Sequence, residues 1–213
     1  MRSKKKLLKE SSLYIVIDKT VCAPRLPLNI AGKIVDGDVN IIQFRDKESK
    51  KENIIKDVYA LRKSLNSNTI FIVNDYLDVA KMLDCDGIHL GQDDLGIEIV
   101  RRILGEDKII GISCHNLRQA IKAQYERADY ISIGPIFSTP TKPEYKSVGL
   151  DLIKDVSRKI KVPVFAIGGI DESNIEKVLS SGAKRVAVCR AVCRADNIIK
   201  AVKRLKKHLK NQI

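Results

Sequence analysis

The chain has 213 residues, of which 44% are hydrophobic, and this is enough for one substantial core. No apolar run approaches the roughly 20 residues that a membrane-spanning helix needs, and the basic N-terminus lacks the apolar stretch of a signal peptide. We therefore expect a cytoplasmic protein with no membrane partner. The five cysteines form no Cys-x-x-Cys pair, which argues against a disulfide framework and against a structural zinc site.

The formal net charge of +13 suggests a nucleic-acid partner, but its distribution argues otherwise. Residues 1–10 carry five basic residues and one acidic residue, and residues 200–213 carry six basic residues and no acidic one. Aromatic residues, on which nucleic-acid bases stack, make up only 5% of the chain. We therefore expect no nucleic-acid partner, although a basic RNA-binding protein without catalysis stays open as an alternative.

Eight short apolar runs alternate with longer amphipathic segments along the chain. The predicted strands cover residues 13–17, 40–44, 70–73, 87–90, 109–113, 130–133, 163–167 and 185–189. The predicted helices cover residues 53–65, 78–83, 95–104, 117–127, 150–160, 173–180 and 197–209, with a further short helix within 28–35.

This pattern predicts an α/β fold. Continuous apolar strands are typical of parallel strands that are buried on both faces, and eight strand–helix units are the number that closes a barrel. We expect a single (β/α)₈ TIM barrel over residues 1–213, with basic N- and C-terminal segments. An open doubly wound sheet is the alternative.

Polar side chains follow the predicted strands at the points where the strands end. Arg45 and Lys47 follow the second strand, Asp75 follows the third and Asp94 follows the fourth. In a parallel barrel all of these ends lie on one face, where the loops build the active site. Each residue alone could be a helix cap or a loop residue, but together they predict a site at this face.

The chemistry of these side chains predicts two phosphate-binding regions. Asp75 and Asp94 are carboxylates suited to Mg²⁺, with phosphate oxygens and water completing the coordination. Arg45, Lys47 and Lys142 supply positive charge for a diphosphate.

The second region is predicted at the seventh and eighth strands. Gly168-Gly169 precedes a helix, and this pair and the backbone after the eighth strand predict a phosphate cradle of the kind that barrels commonly build there. One region suits a metal-bound diphosphate and the other a monophosphate, so we expect two phosphorylated small-molecule substrates.

An ordered series of motifs runs through nearly the whole chain. Its strongest element is the Thr-x-Thr-Lys segment at 139–142, which follows Gly134-Pro135-Ile136. The other segments are Leu13-Tyr14-Ile15-Val16-Ile17-Asp18, Gln43-Phe44-Arg45-Asp46-Lys47, Val73-Asn74-Asp75, Gly87-Ile88-His89-Leu90-Gly91-Gln92-Asp93-Asp94, Gly111-Ile112-Ser113-Cys114-His115 and Ala166-Ile167-Gly168-Gly169-Ile170. In this order the motifs resemble the thiamine-phosphate synthase family.

The resemblance implies a role for each matching residue. The implied ligands of a pyrimidine diphosphate are Gln43, Arg45, Lys47, Asn74, Ser113 and Lys142, and the candidate catalytic residues among them are Arg45, Lys47, Ser113 and Lys142. The implied Mg²⁺ ligands are Asp75 and Asp94. The implied thiazole phosphate site consists of Thr139, Thr141, Gly169 and the backbone at Cys189 and Arg190. The family often has serine where this chain has Arg190, so the side chain either pairs with the phosphate or points away.

The resemblance also implies a reaction, with Mg²⁺ as cofactor. A pyrimidine diphosphate would be joined to a thiazole phosphate, giving thiamine phosphate and pyrophosphate. The diphosphate would leave first, and the thiazole nitrogen would capture the resulting cation, so the protein would act by positioning and electrostatics.

Several alternatives stay open. A thiazole tautomerase on the same fold could use His115 as an acid or base, and such an enzyme needs no metal–diphosphate cluster. His89 and His115 could each be structural. The segment 138–147 is long and polar enough to close over the site. The sequence fixes no oligomeric state, so a homo-oligomer is also open.

Overall fold

The computed structural model describes residues 3–141, 145–210 and 212. Eight parallel strands pair in sequence order and close into a barrel, which confirms the predicted (β/α)₈ TIM barrel. The strands are β1 (Leu13–Asp18), β2 (Ile41–Arg45), β3 (Ile70–Asn74), β4 (Gly87–Leu90), β5 (Ile109–Cys114), β6 (Tyr130–Ile133), β7 (Val164–Ile167) and β8 (Val186–Val188). The predicted strand ends agree with these to within about one residue. That all 213 residues form one domain stays a prediction.

The helices surround the barrel. They are α1 (Lys4–Glu10), α2 (Lys19–Cys22), α3 (Pro27–Asp36), α4 (Lys51–Ser64), α5 (Leu77–Met82), α6 (Ile97–Leu104), α7 (Leu117–Tyr125), α8 (Asp151–Lys159), α9 (Ile175–Ser180), α10 (Arg190–Cys193) and α11 (Ile198–Leu209). The predicted helices are present, whereas the short helices α1, α2 and α10 were not predicted. No helix in the described ranges is long and apolar enough to cross a bilayer.

Helix α1 closes the end of the barrel at which the strands begin. Its Leu7 and Leu8 are buried in the cluster that fills the barrel interior. Lys4 pairs with Asp86 at 3.2 Å and Lys5 pairs with Asp129 at 2.9 Å. Because both aspartates directly precede strands, these ion pairs attach the basic N-terminal segment to the end of the barrel opposite the predicted site.

The basic C-terminal segment is the solvent-exposed face of α11. Ile198, Val202, Leu205 and Leu209 are buried along one side of this helix, at the spacing of an amphipathic helix. Each such side chain contributes about 1.5–3 kcal/mol relative to an exposed one. The lysines on the other side are solvated, and Lys206 also pairs with Asp38 at 2.5 Å.

Alternation along the strands determines which side chains reach the barrel interior. Tyr14 of β1 and Ile41 of β2 belong to the interior cluster, so the residues two and four positions further along face the same way. In β1 these include Asp18, and in β2 they are Gln43 and Arg45. The interior therefore changes from apolar to polar towards the carboxyl ends of the strands, and the site lies there.

Candidate active site

The carboxyl ends of the strands surround two adjoining cavities. The larger has a volume of about 480 Å³ and the smaller about 150 Å³. The residues that line both are Arg45, Asn74, His89, Ser113 and His115. Because the two cavities share this wall, they are two parts of one site.

Arg45 is held by an acidic residue on the neighbouring strand. Its guanidinium forms an ion pair with Asp18, which occupies the equivalent position on β1. The second carboxylate oxygen of Asp18 accepts a hydrogen bond from the backbone N–H of Val21 at 3.1 Å. The Asp18 side chain is buried, and its ion pair holds the guanidinium of Arg45 in the cavity wall.

Lys47 and Asp75 form an ion pair at the smaller cavity. Asp75 has a φ of 63°, the left-handed conformation that aspartate tolerates better than most residues. Its backbone N–H donates to the carbonyl of His89 at 3.0 Å. Burial raises the pKa of Asp75, the ion pair with Lys47 opposes this effect, and the nearby Asp94 raises the pKa further, so the net pKa lies above its ordinary value.

Asp94 faces the same small cavity. Its carboxylate accepts a hydrogen bond from the backbone N–H of Gly91 at 2.6 Å, which fixes the side chain over the loop after β4. A cation between two neighbouring carboxylates offsets the repulsion between their negative charges.

The donor set of this cavity fits a hard cation that is only partly bound by protein. Within the described ranges, no group of three His, Cys, Asp or Glu side chains could form a complete metal cage. Asp75 and Asp94 therefore fit a Mg²⁺ ion whose remaining ligands are phosphate oxygens and water, which is how Mg²⁺ usually binds.

Gln43, Asn74 and Ser113 line the larger cavity at its inner wall. Gln43 and Asn74 are buried, and Gln43 donates a hydrogen bond to the hydroxyl of Tyr14 at 2.6 Å. The hydroxyl of Ser113 lies 2.9 Å from Nε2 of His89. The three predicted substrate ligands therefore share one cavity, and interior partners hold Gln43 and Ser113 in place.

The opposite wall of the larger cavity is built by the ends of β6, β7 and β8. Thr139, Thr141, Gly169, Cys189 and Arg190 all line it. The hydroxyl of Thr141 is buried and has no hydrogen-bond partner among the described residues. A buried hydroxyl without a partner is costly, so a bound anion would satisfy it.

Gly169 allows the loop after β6 to lie directly on the loop after β7. Its φ is 64°, and a Cβ atom there would lie 2.8 Å from both Cβ of Phe137 and the carbonyl oxygen of Ser138. On the same wall, the four-residue helix α10 begins at Arg190, and Cys189 is its N-cap residue. In TIM barrels a short extra helix at this place often contributes to phosphate binding.

His115 is held at the boundary of the two cavities. Its Nδ1 lies 2.6 Å from the carbonyl oxygen of Gly134, and because a carbonyl only accepts, Nδ1 carries the proton. The ring also stacks on Tyr145, with centroids 4.8 Å apart. Lys142, a predicted diphosphate ligand, lies outside the described residues, as does part of the segment 138–147.

The sequence did not predict a role for Asp18, which lines the larger cavity, or for Tyr14 and Tyr130, whose hydroxyl groups bond to the lining residues Gln43 and His89. Asp18 could have been found, because it directly follows the first predicted strand, just as Arg45 follows the second. The two tyrosines are fully buried and look like core residues in the sequence. Only the closed barrel brings their hydroxyl groups together, at 2.9 Å.

Comparisons with known proteins agree with this geometry. Residues 13–192 match the family TMP-TENI, described as thiamine monophosphate synthase. The thiamine-phosphate synthase of Persephonella marina is 38% identical over 201 residues, which cover 94% of this chain and 96% of that protein. The one of Methanosarcina barkeri is 38% identical over 91% of this chain and 88% of that protein.

A solved structure gives the same result. Thiamine phosphate pyrophosphorylase from Pyrococcus furiosus superposes with a TM-score of 0.86 at 30% identity, over 97% of this chain and 99% of that one. The resemblance of the sequence motifs is thereby confirmed, and so is the expectation of a transferase enzyme of thiamine biosynthesis. The chain belongs to the thiamine monophosphate synthase family.

Proposed function

We propose that this enzyme condenses 4-amino-2-methyl-5-(diphosphomethyl)pyrimidine with 4-methyl-5-(2-phosphoethyl)thiazole to give thiamine phosphate and pyrophosphate, or with the carboxylated form of the thiazole to give the same two products and CO₂. One observation carries the proposal. One wall of the two adjoining cavities carries two cations and two carboxylates. The opposite wall carries a glycine-lined loop and the buried hydroxyl of Thr141, which has no hydrogen-bond partner among the described residues. The first wall suits a metal-bound diphosphate and the second a monophosphate.

The pyrimidine diphosphate would occupy the wall formed by β2 to β5. Gln43 and Asn74 would hold the pyrimidine end, because both are buried and line the inner part of the cavity. The groups that would contact the diphosphate are Arg45, Lys47, Ser113 and Lys142. Because cations and hydroxyl donors fixed in advance stabilise developing charge without reorganising, this wall favours departure of the diphosphate.

Asp75 and Asp94 would hold Mg²⁺, which when bound would neutralise negative charge on the diphosphate. Lys47 pairs with Asp75. Its ammonium group therefore lies next to the proposed metal ligands, where it would contact a phosphate oxygen of the metal-bound diphosphate. The protein itself would contribute the two carboxylates and Lys47, which it keeps beside the departing diphosphate.

The thiazole phosphate would occupy the opposite wall. The hydroxyl groups of Thr139 and Thr141, the backbone at Gly169 and the first N–H groups of α10 at Cys189 and Arg190 would bind its phosphate. This arrangement would hold the thiazole nitrogen in line with the methylene carbon of the pyrimidine, so that the two reacting atoms are already in a reactive geometry.

The bonds balance without a general base. The C–O bond between the methylene group and the diphosphate breaks, and the electron pair leaves with pyrophosphate. The aminopyrimidine ring stabilises the methylene cation, and the thiazole nitrogen donates its lone pair to form the new C–N bond. We further propose that the enzyme works in the cytoplasm, where its five free thiols would stay reduced. A homo-oligomer stays a prediction.

The test is an assay of the purified protein with both substrates, with and without Mg²⁺. We expect equal amounts of thiamine phosphate and pyrophosphate, formed only when both substrates are present, and a strong dependence on Mg²⁺. A thiazole tautomerase would interconvert thiazole isomers and release no pyrophosphate. An RNA-binding protein would show neither reaction and would bind RNA with an affinity that falls steeply with salt.

A further inference from the structure

A chain of hydrogen bonds crosses the barrel interior just below the cavity. Gln43 Nε2 lies 2.6 Å from the hydroxyl of Tyr14, and that hydroxyl lies 2.9 Å from the hydroxyl of Tyr130. The hydroxyl of Tyr130 is 2.9 Å from Nδ1 of His89, and Nε2 of His89 is 2.9 Å from the hydroxyl of Ser113. Five strands thus contribute one residue each, and both ends of the chain line the cavity.

The two tyrosines in the middle of this chain have fixed positions. Both are fully buried, and each ring packs edge-on against Phe165. The ring of Tyr130 occupies the space that a side chain at position 111 would need, since a Cβ atom at Gly111 would lie 2.0 Å from Cζ of Tyr130. This packing therefore keeps the two tyrosine hydroxyl groups at their positions in the chain of hydrogen bonds.

Both tyrosines are also protonated at neutral pH. Burial raises the pKa of Tyr14 and of Tyr130 above the ordinary value of a phenol. Each hydroxyl can therefore donate one hydrogen bond as well as accept one.

These constraints give the chain one direction. The amide nitrogen of Gln43 can only donate, so the hydroxyl of Tyr14 accepts from it. If Tyr130 also donated to Tyr14, the proton of the buried Tyr14 hydroxyl would have no acceptor within the chain of hydrogen bonds, and a buried donor without a partner is costly. Tyr14 therefore donates to Tyr130. Tyr130 then donates to Nδ1 of His89, which must be unprotonated, and the proton of His89 lies on Nε2. Nε2 donates to Ser113, whose own hydroxyl proton is left to point into the cavity. The opposite direction would require either the amide of Gln43 to be reversed or the proton of the Tyr14 hydroxyl to lack an acceptor within the chain of hydrogen bonds.

We infer that Tyr14, Tyr130 and His89 are positioning residues, which present the amide oxygen of Gln43 as an acceptor and the hydroxyl of Ser113 as a donor to the bound substrate. The inference rests on the proposed function for what binds there, because a donor at Ser113 suits an anionic phosphate oxygen. Tyr14 and Tyr130 line neither cavity, and His89, which lines both, has its proposed effect through Ser113.

The first test measures the tautomer of His89 in the ligand-free protein. Protein labelled with ¹⁵N-histidine has three histidines, and His115→Gln and His208→Gln variants identify the signals of His89. We expect His89 to be protonated at Nε2 and bare at Nδ1. A proton on Nδ1 would mean that the chain runs the other way and would overturn the inference.

The second test uses Tyr130→Phe, which keeps the ring and removes the central hydroxyl. We expect the tautomer signals of His89 to change and the KM for the pyrimidine diphosphate to rise roughly two- to tenfold, the usual effect of one hydrogen bond. The KM for the thiazole phosphate should stay the same. Tyr125→Phe is the matched control, because Tyr125 is 88% exposed on the outer surface.

Equal increases in both KM values, or no change in either, would overturn the positioning role, since a merely loosened barrel would affect both substrates alike. If Tyr130→Phe does not fold, Tyr14→Phe removes the neighbouring hydroxyl and carries the same expectation. The tautomer measurement needs no substrate. It therefore decides the direction of the chain even if the wild-type protein forms no thiamine phosphate and the proposed function fails.

Discussion

The guanidinium of Arg45 is ion-paired with the buried carboxylate of Asp18, its register partner on the neighbouring strand. A cation of the cavity wall is thus held in place by a buried acidic residue that itself lines the larger cavity. This relationship makes the position of Arg45 depend on β1, whereas its charge remains available to a diphosphate.

Asp18→Asn removes the negative charge but keeps an oxygen that can accept the hydrogen bond from Val21. We expect kcat/KM for the pyrimidine diphosphate to fall about 10- to 100-fold, because hydrogen bonds to charged groups are worth about 1.5–3 kcal/mol. Steady-state kinetics of the variant check this. Asp155→Asn on the exposed face of α8 is the control, and equal activity of both variants would contradict a role for Asp18.

Asp75→Ala removes one of the two carboxylates of the small cavity. We expect turnover at saturating substrates to fall on the order of 10² to 10³, the usual cost of losing one fixed electrostatic contact to the transition state. The Mg²⁺ concentration needed for half-maximal activity should rise as well, as a Mg²⁺ titration would reveal. The exposed Asp107→Asn is the control. Wild-type turnover in Asp75→Ala would remove Asp75 from the metal site.

Asp46 links the loop that carries Lys47 to the rest of the barrel. Its carboxylate accepts hydrogen bonds from the backbone N–H groups of Glu48 and Ser49 at 3.1 and 3.0 Å, and it pairs with Lys19 at 3.3 Å. Burial acts to raise the pKa of Asp46, but the bonds from Ser49 and Glu48 and the contact with Lys19 together lower it below the ordinary 3.8.

A lowered pKa means that the ionised form of Asp46 stabilises the folded state. This contribution is present above the ordinary pKa and is lost as the pH falls through the lower pKa of the folded protein. We therefore expect Asp46→Asn to have a lower Tm than wild type at pH 6–7, and the difference to shrink as the pH falls below about 4. Thermal unfolding followed by circular dichroism tests this, and a difference independent of pH would show that the charge is not what matters.

Arg190→Ser tests the wall formed by β8 and α10. The side chain of Arg190 is exposed and lines the cavity, so its contact with a phosphate would be partly screened by solvent. We expect the Kd for the thiazole phosphate, measured calorimetrically, to rise about two- to fivefold, with no change for the pyrimidine diphosphate. An unchanged Kd would mean that only the backbone at this position binds the phosphate.

The sequence predicted the strands and most of the site because both depend on local patterns. Buried parallel strands are continuous apolar runs, and the polar residues that end them, such as Arg45 and Asp75, lie on one face in any parallel barrel. Helix α1 was not predicted because its stability depends on tertiary contacts. Its seven residues are too few for a stable isolated helix, and Leu7 and Leu8 gain from burial only once the barrel has closed.

The buried hydrogen-bond chain could not be predicted for a related reason. Tyr14 and Tyr130 are 116 residues apart, and nothing in either local sequence distinguishes a hydroxyl with a partner from an ordinary core tyrosine. The one local signal was Gly111, because a glycine inside a buried strand often marks a site where another group approaches closely. That group is the ring of Tyr130.

Gly169→Ala tests the contact between the two loops of the thiazole phosphate wall. The new methyl group would have to share space with Phe137 and Ser138, at 2.8 Å from each, on a backbone whose φ of 64° disfavours any side chain. We expect a loss of about 1–3 kcal/mol in the free energy of unfolding and a higher KM for the thiazole phosphate, because the loop carrying Thr139 and Thr141 must shift.

The matched control is Gly32→Ala in α3. A Cβ atom there would meet nothing within 4 Å, and the backbone is helical, so this variant should gain about 0.5–1 kcal/mol in stability and keep both KM values. Denaturant unfolding and steady-state kinetics on the two variants separate the effects. If Gly169→Ala loses stability but keeps its KM for the thiazole phosphate, the loop contact is structural only and the phosphate binds elsewhere on this wall.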